Sequence, residues 1–600
     1  MKNSIGTNLR NLRPLNPEWA GFTLQDALRG LDHHVATGAE ALPDLLKPGP
    51  GGSGFVALRW PTLPGTGLEL SPAPGRLVAI PPDNLTPALL SDLGRLPLLA
   101  FNGAEEFRRL AELTGRWPRS YLSLLTMLQV LENGATTEEG KALSLDLEAV
   151  LERYGLPSGP QGGNSTPRLH QLRDVLLGRV AQAGLWPTCQ LESQLLPVTH
   201  RMHVQGIRVD AVLLEQVRKD YEARAAVAAT ELRTVLGQPN LNPDDSAAVL
   251  AALQGLGLSV TGTSKEKLCH HHDHPAVRAL QAYRQVQGVH TSARTFLAAI
   301  GPDGRIHPRW DPFGAETGRF SCSQPAFQNL SKNEDLRGCF KARDGFVLLP
   351  CDYAQADLRP LASASQDPAM LAIFQQGLNF HRVTAARLMN KSPDAVTEEE
   401  RAVIKVIVFG IAFGMGPERL ALEAWLGYGI TWTTEDARSW MDRFFELYSG
   451  FRAWRDDIRR EAATATECRT LSLKRRRFLP TDPGQRGYRS RRLMNMPAQG
   501  TVADALKQAM VAIAARLHPE DAIIANVHDE LLLEVRQERA EEVLKMVQFE
   551  MENALASMLC GVPVETEAGI YANWAKEPIC EPQPAETTSE GTDHEQISPQ

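Results

Sequence analysis

The sequence predicts a multi-domain α/β protein, and three observations carry that expectation. Six hundred residues exceed what one hydrophobic core accommodates, so about three or four folding units are expected. Short apolar runs such as Phe55-Val56-Ala57-Leu58 and Leu77-Val78-Ala79-Ile80 alternate with Pro/Gly turns up to about residue 100, which reads as strands. From Leu191 to about Ala298 the apolar spacing is almost wholly helical, and from about Ile306 to Trp574 strands and helices mix again.

Taken in order, residues 1–54 form an N-terminal extension that ends in the linker Pro48-Gly49-Pro50-Gly51-Gly52-Ser53-Gly54. Residues 55–190 form a small α/β domain with helical patterns at 104–114, 118–132 and 144–154 and a Gly/Ser/Pro loop at 157–167. Residues 191–305 form a helical unit, with long amphipathic stretches at 191–205 and 211–236. Within it, Cys269-His270-His271-His272-Asp273-His274 reads as a polar loop tip, because consecutive histidines diverge and no second ligand group lies at suitable spacing. Residues 306–576 are mixed, and 577–600 form an acidic Pro/Glu/Thr/Ser-rich tail expected to be disordered.

Composition excludes several classes. With 43% hydrophobic and 22% charged residues most of the chain should fold, and no apolar run approaches the roughly 20 residues of a membrane span. The N-terminus lacks the apolar core of a signal peptide. Eight cysteines without a CxxC pair argue for a reduced, cytoplasmic protein, without a disulfide framework or zinc knuckle. The net charge of −8 hides an uneven distribution: Arg469–Arg492 carries nine Lys or Arg and one acid, whereas the tail carries acids alone.

Chemistry concentrates in three stretches. The apolar run Phe346–Leu349 reads as a buried strand delivering Asp352, a carboxylate that is costly there unless a metal or cation meets it. Ile523–Val527 and Leu531–Val535 read as a hairpin whose turn, His528-Asp529-Glu530, presents two adjacent carboxylates. Three such acids are the ingredients of a two-metal phosphoryl-transfer site. Between them, Arg401, Lys405, Phe409 and Phe413 recur every four positions and so share one helical face of two cations and two rings. Cations suit a triphosphate and an aromatic ring suits a nucleobase. A core helix with snorkelling cations explains the rings but not the whole ordered face.

These stretches resemble the three sequence motifs of family A DNA polymerases, the DNA polymerase I type. Asp352-Tyr353-Ala354-Gln355-Ala356-Asp357-Leu358-Arg359 resembles D-Y-S-Q-I-E-L-R, Arg401 to Gly414 resembles R-x3-K-x7-Y-G with Phe413 for Tyr, and His528-Asp529-Glu530 is identical to the third. Thr317-Gly318-Arg319-Phe320-Ser321 through Gln328-Asn329-Leu330, Asn379-Phe380-His381 and Arg491 to Thr501 are similar to further family segments, in family order over about 191–576. The resemblance implies a right-hand polymerase: a thumb over 191–305, then palm and fingers over 306–576. It implies two Mg2+, with Mn2+ able to substitute, held by Asp352, Asp529 and the Tyr353 backbone carbonyl, with Glu530 beside them. Arg401, Lys405, His381, Phe409, Phe413, Asp357 and Gln355 would hold the dNTP, with Lys405 also counted among the catalytic groups. Arg319, Gln328, Asn329, Arg491, Asn495, Gln499 and His528 would contact primer–template DNA, and Lys474, Arg475, Arg476 and Arg477 would lie near its phosphates.

The implied enzyme is a monomeric DNA-directed DNA polymerase of replication or repair, in a bacterial or phage-infected cell and associated with the nucleoid. Rival readings are a single-subunit RNA polymerase-like enzyme and an inactive DNA-binding replisome protein. The Thr317-Gly318-Arg319 and Arg491–Thr501 segments favour the DNA enzyme, and the intact Asp352, Asp529, Arg401 and Lys405 disfavour a scaffold. Two departures stand out: the family has Glu and Tyr where this chain has Asp357 and Phe413, which implies a differently set sugar selection. Phe409 in place of Tyr implies poor acceptance of dideoxynucleotides.

By the same resemblance the 55–190 region is an RNase H-like, 3′–5′ exonuclease-type domain that has lost its metal ligands. The family's D-x-E-T-T-G falls near Thr62-Leu63-Pro64-Gly65-Thr66-Gly67, and H-N-x-x-F-D near Phe101–Phe107, with Glu106 at the Asp position. No Asp occurs between Asp174 and Asp210, where the last acid belongs. No proofreading is expected, and the chain leaves no room for a 5′-nuclease domain.

Overall fold

A computed structural model describes residues 55–60, 68–72, 78–80, 85, 87–137, 141–156, 166, 168–473 and 475–579. The expected N-terminal extension, the Thr62–Gly67 segment, Lys474 and the tail beyond residue 579 lie outside the described residues.

Five short strands build the first domain: β1 (Val56–Arg59), β2 (Leu68–Ser71), β3 (Val78–Ile80), β4 (Pro97–Ala100) and β5 (Ser120–Ser123). Their order is β3-β2-β1-β4-β5; the first three are antiparallel neighbours, and β4 and β5 run parallel to β1. Helix α1 (Gly103–Thr114) starts at Asn102, whose side chain accepts from the Glu105 N–H. Helix α2 (Leu124–Leu131) begins later than the 118–132 pattern suggests. Ser120–Ser123 extends the parallel ladder with β4, and Ser123 then caps the helix. Helix α3 (Arg168–Ala183) buries Leu169, Leu172, Leu176 and Leu177 beneath this layer.

The boundary expected at 190/191 falls inside a helix. Helix α4 runs from Trp186 to Gln205 with Pro187 in its first turn, where proline lacks no needed donor. It serves three cores at once: Cys189 packs into that of the first domain, Leu196 into the cluster under β1 and β2, and Leu195 and Met202 into the main core. Helices α5 (Ala211–Leu236) and α6 (Pro275–Ala298) then pair lengthwise; Leu232, Leu236, Leu280 and Tyr283 fill the seam near their far ends. The periodicity of 211–236 matches α5 to the residue, with Asp210 capping its start and Gly237 ending it at a φ of 64°.

In the remainder, β6 (Phe346–Tyr353) precedes α7 (Phe380–Met389), α8 (Glu398–Ala412) and α9 (Pro417–Tyr428). A two-stranded hairpin, β7 (Glu467–Arg469) and β8 (Arg476–Phe478), leads to α10 (Arg486–Asn495), a π-helical turn at Met496–Gly500, and α11 (Thr501–Arg516). Strands β9 (Ala522–Val527), β10 (Glu530–Arg536) and β11 (Thr566–Ala568) complete an antiparallel sheet in the order β9-β10-β6-β11.

Two contacts tie these parts together. The β7–β8 hairpin is bonded to the first domain: the Phe478 N–H donates to the Asn133 carbonyl (2.8 Å), Asn133 Nδ2 to the Arg476 carbonyl (3.1 Å) and Arg476 to the Leu131 carbonyl (2.6 Å). Across the cleft, the loop before α6 reaches α9, where Glu266 pairs with Arg419 and the His272 ring lies 5.4 Å from that of Trp425. Among the described residues no helix is long and apolar enough to cross a membrane.

Candidate active site

Two strand ends place the acids. Asp352 sits near the end of β6, directly opposite Glu530 on β10 and Glu567 on β11, so the three side chains share one face of the sheet. Asp529 occupies the two-residue turn between β9 and β10 beside His528, which adopts a φ of 62°. Gln355, in the turn after β6, has a φ of 57°. Both turns therefore hold a non-glycine residue in the left-handed region, a strain that persists only where the surroundings impose it. Glu530 is fixed by the Trp574 indole N–H, which donates to its Oε1 at 2.7 Å.

Burial, then the neighbouring charges of Asp529, Glu530 and Glu567, push the Asp352 carboxyl up to about 8. Its Oδ1 is buried and has no hydrogen-bond partner. A half-buried acid that is crowded by like charge, with one buried and unpartnered oxygen, is chemically suited to meet a cation. The chemistry of these acids suits a metal ion, while among the described residues no group of three or more His, Cys, Asp or Glu side chains stands already arranged to hold one.

The facing surface is α8. Its capping box, Thr397 with Glu400, fixes the first turn. Ile404, Val408 and Ile411 go into the core, while Arg401, Lys405, Phe409 and Phe413 remain half-buried along one side, as their spacing requires. Lys405 Nζ lies 5.7 Å from the Phe409 ring centre. The rings of His381, Phe409 and Phe413 form a stack with 5.9 Å between successive centroids. Burial, then the cations Lys405 and Arg401, hold the His381 imidazole down at about 3, so it is neutral at pH 7. Lys405 is also lowered, by burial first and then by Lys332 and Arg401, against the pull of Asp529 and Asp352. That interaction places both acids within electrostatic reach of the helix face.

Several expected DNA-facing residues gather here. Asn495 precedes the π turn and Gln499 lies within it; such turns recur at functional sites. Asn495 Oδ1 and His381 Nδ1 are buried and without hydrogen-bond partners, like Asp352 Oδ1. Gln328 Nε2 donates to the Asn526 carbonyl (3.0 Å), which anchors it beside β9, while Asn329, Arg491 and His528 are exposed.

The basic run behaves differently. Arg475 is almost completely buried and ion-paired with Glu192 and Asp504, so it does not reach DNA phosphates. Arg477 pairs with Glu316, and Arg476 bonds the Leu131 carbonyl, so neither stands as a free surface cation. For Arg475 the reading of an exposed phosphate contact fails, because its partners Glu192 and Asp504, distant in sequence, hold it inside.

Four features were not read from the sequence. Arg319 Nη2 donates to Asp357 Oδ1 at 3.0 Å, and burial, offset by Arg319, raises the Asp357 carboxyl to about 6. Gln355 Oε1 accepts from the Phe380 N–H at 2.8 Å, so it fixes the start of α7, one residue before His381. Trp574 steadies Glu530, and Lys332 stands near Lys405. Only the Gln355 capping role had a local signal, in its polar turn.

Strand-end carboxylates thus stand within electrostatic reach of a helix that offers two cations and a ring stack. The sequence profile of DNA polymerase family A matches residues 212–576, and the chain belongs to that family. It is 31% identical over 449 residues to the thermostable DNA polymerase I of Thermus filiformis, covering 71% of this chain and 53% of that protein. It is 31% identical over 399 residues to DNA polymerase I of Aquifex aeolicus, covering 65% of this chain and 68% of that protein. The chain spans about half the length of the Thermus relative. Among solved structures, the POL domain of Pol1 from M. smegmatis, in complex with DNA primer-template and dNTP, superposes with a TM-score of 0.76 at 24% identity. That likeness covers 90% of this chain and 99% of the other, and so takes in part of the first domain's fold.

Proposed function

We propose that the chain extends a DNA primer on a template, joining dNTPs to the 3′-hydroxyl with release of pyrophosphate. The carrying observation is the half-buried Asp352 carboxylate, whose Oδ1 is buried and unpartnered, within electrostatic reach of the Lys405 face of α8. Asp352 and Asp529 would hold two Mg2+ ions, which supply charge neutralisation at the reacting phosphate and a more acidic 3′-hydroxyl. Arg401 and Lys405 meet the triphosphate, and the His381–Phe409–Phe413 stack offers its face to the base. A lysine whose hold on its proton is weakened suits the leaving pyrophosphate, which needs one. Arg319, Asn495 and Gln499 contact the primer terminus by shape.

The first domain is best read as an exonuclease-type fold without its metal centre. Three antiparallel strands followed by two parallel ones support the fold. Glu106, the one acid at a motif position, accepts the Trp60 N–H at 2.8 Å, so it is engaged within its own domain.

The test is primer extension on a defined template, with dNTPs and rNTPs separately. Wild type is expected to extend with dNTPs, and Asp529→Ala to lose at least about a thousandfold in rate. Equal extension by the variant, or a preference for rNTPs, refutes the reading. Mononucleotide release from a mismatched 3′-end that survives in Asp352→Ala refutes the loss of proofreading.

A further inference from the structure

The run expected to hold DNA contains a side chain with no access to DNA. Arg475 belongs to a buried quartet that joins three separate parts of the chain: Glu192 on α4, Arg475 before β8, and Asp504 and Lys507 on α11. Arg475 Nε donates to Asp504 Oδ1 at 2.6 Å, and Arg475 Nη2 meets Glu192 Oε1. Lys507 Nζ reaches the same Glu192 oxygen at 2.6 Å and the Pro312 carbonyl at 2.7 Å. Thr470 Oγ1 donates to Asp504 Oδ2 at 2.9 Å and accepts the Arg475 N–H at 3.0 Å. Each of the four charged side chains is at most 2% exposed.

A buried ionic cluster is a poor device for stability alone, since well-packed apolar groups of similar volume commonly do as well or better. What the quartet does supply is fixed geometry, and its position shows for what. The guanidinium of Arg475 lies flat against Gly318: a methyl group added there would come within 2.8 Å of Nε and 3.0 Å of Cδ. Gly318 has a φ of 83° and immediately precedes Arg319. On its other side, the Thr317 carbonyl abuts Gly500 of the π turn, 3.3 Å from where a Cβ would stand, and Thr470 Cγ2 would be 2.7 Å from that same position. The Thr317–Gly318 segment, just before Arg319, is thus wedged between the quartet and the turn that carries Gln499. From there Arg319 extends to Asp357.

We propose that Arg475 and Glu192 are positioning residues for synthesis: they back Gly318, the residue before Arg319, and so aim Arg319 at the primer terminus and at Asp357. The proposal rests on the reading of Arg319 as a primer-terminus contact. It assigns the arginine a specificity-setting role behind the site, in place of a phosphate contact, and it makes α4, which continues out of the first domain, part of the selectivity apparatus.

The experiment is a double-mutant cycle in the full chain. Arg475→Lys keeps the charge but lacks the fork that spans Glu192 and Asp504. Steady-state kcat and KM are measured for dNTP and rNTP addition, on matched and mismatched primer ends. Arg475→Lys is expected to cut kcat/KM on matched ends by roughly 10- to 100-fold. The matched-to-mismatched and dNTP-to-rNTP ratios are both expected to narrow. In an Arg319→Ala background the same change is expected to narrow neither ratio further. Glu192→Gln, which keeps a hydrogen-bonding oxygen, provides the same readout with a smaller loss if Arg475→Lys does not fold. Ratios left intact by both variants, or fully additive effects in the cycle, overturn the positioning role. Ratios left intact by Arg319→Ala itself overturn the reading beneath it.

Discussion

Asp357 and Glu106 show how one carboxylate's surroundings decide what it can do. Asp357 is bonded to Arg319, and Phe413 brings no hydroxyl to compete for it. On the proposed reading, the wall that faces the sugar would be built by an Asp–Arg pair and a ring. Asp357→Glu with Phe413→Tyr is expected to widen the dNTP-to-rNTP ratio by roughly tenfold or more, since one added methylene commonly shifts selectivity by that much. Unchanged selectivity in competitive incorporation would sink the idea. Glu106 makes a different prediction. Burial raises its carboxyl to about 7, against the pull of the Trp60 N–H and of Arg59 and Arg109. Because the folded value lies above the unfolded 4.5, stability falls as pH climbs from about 4.5 to 7, and the penalty is complete above that. Glu106→Gln, which never ionises, should therefore stabilise the chain by up to about 3 kcal/mol at pH 8 and by nothing below pH 4.5. Urea melts at both values check the sign.

At the scale of the element, α8 is the clearest case of legibility. Four residues at a spacing of four define a stripe whatever the rest of the fold does, and the structure leaves that stripe half-buried. Asp352 and the His528-Asp529-Glu530 turn were legible for a similar reason: a polar residue that interrupts an apolar strand stands out locally. The 474–477 run was not. Its four charges look alike in sequence, and only partners as distant as Glu192 and Glu316 draw Arg475 and Arg477 into the protein. The start of α2 was lost the same way, because a parallel neighbour recruited Ser120–Ser123 into a strand. The first turn of α8 also carries a prediction. Glu398 holds Arg401 Nε at 2.7 Å and also pairs with Arg382, so a triphosphate must draw Arg401 away from it. An exposed pair of this kind is worth under about 1 kcal/mol, so Glu398→Gln should lower the KM for dNTP about two- to fivefold, with kcat nearly unchanged. A raised KM in steady-state extension would contradict it.

At the scale of the whole molecule, the first domain is bound to the rest by side-chain-to-backbone hydrogen bonds and by a shared helix. Asn133 and Leu131 bond β8, Thr188 Oγ1 donates to the Leu473 carbonyl, and α4 passes through three cores. Deleting residues 1–185 should therefore lower both the melting temperature and the rate of extension, even with every catalytic residue in place. Calorimetry beside primer extension checks this, and a truncated chain that melts and extends like the full one refutes it. This attachment bears on descent. A nuclease carboxylate can be exchanged without disturbing the polymerising half, one substitution at a time. The sheet of the first domain is harder to excise, because α4 runs from that domain's core into the main core as a single helix and brings Glu192 with it. On the proposed reading of the first domain, inheritance can erase the chemistry of such a domain while retaining its body as a brace for the polymerising half.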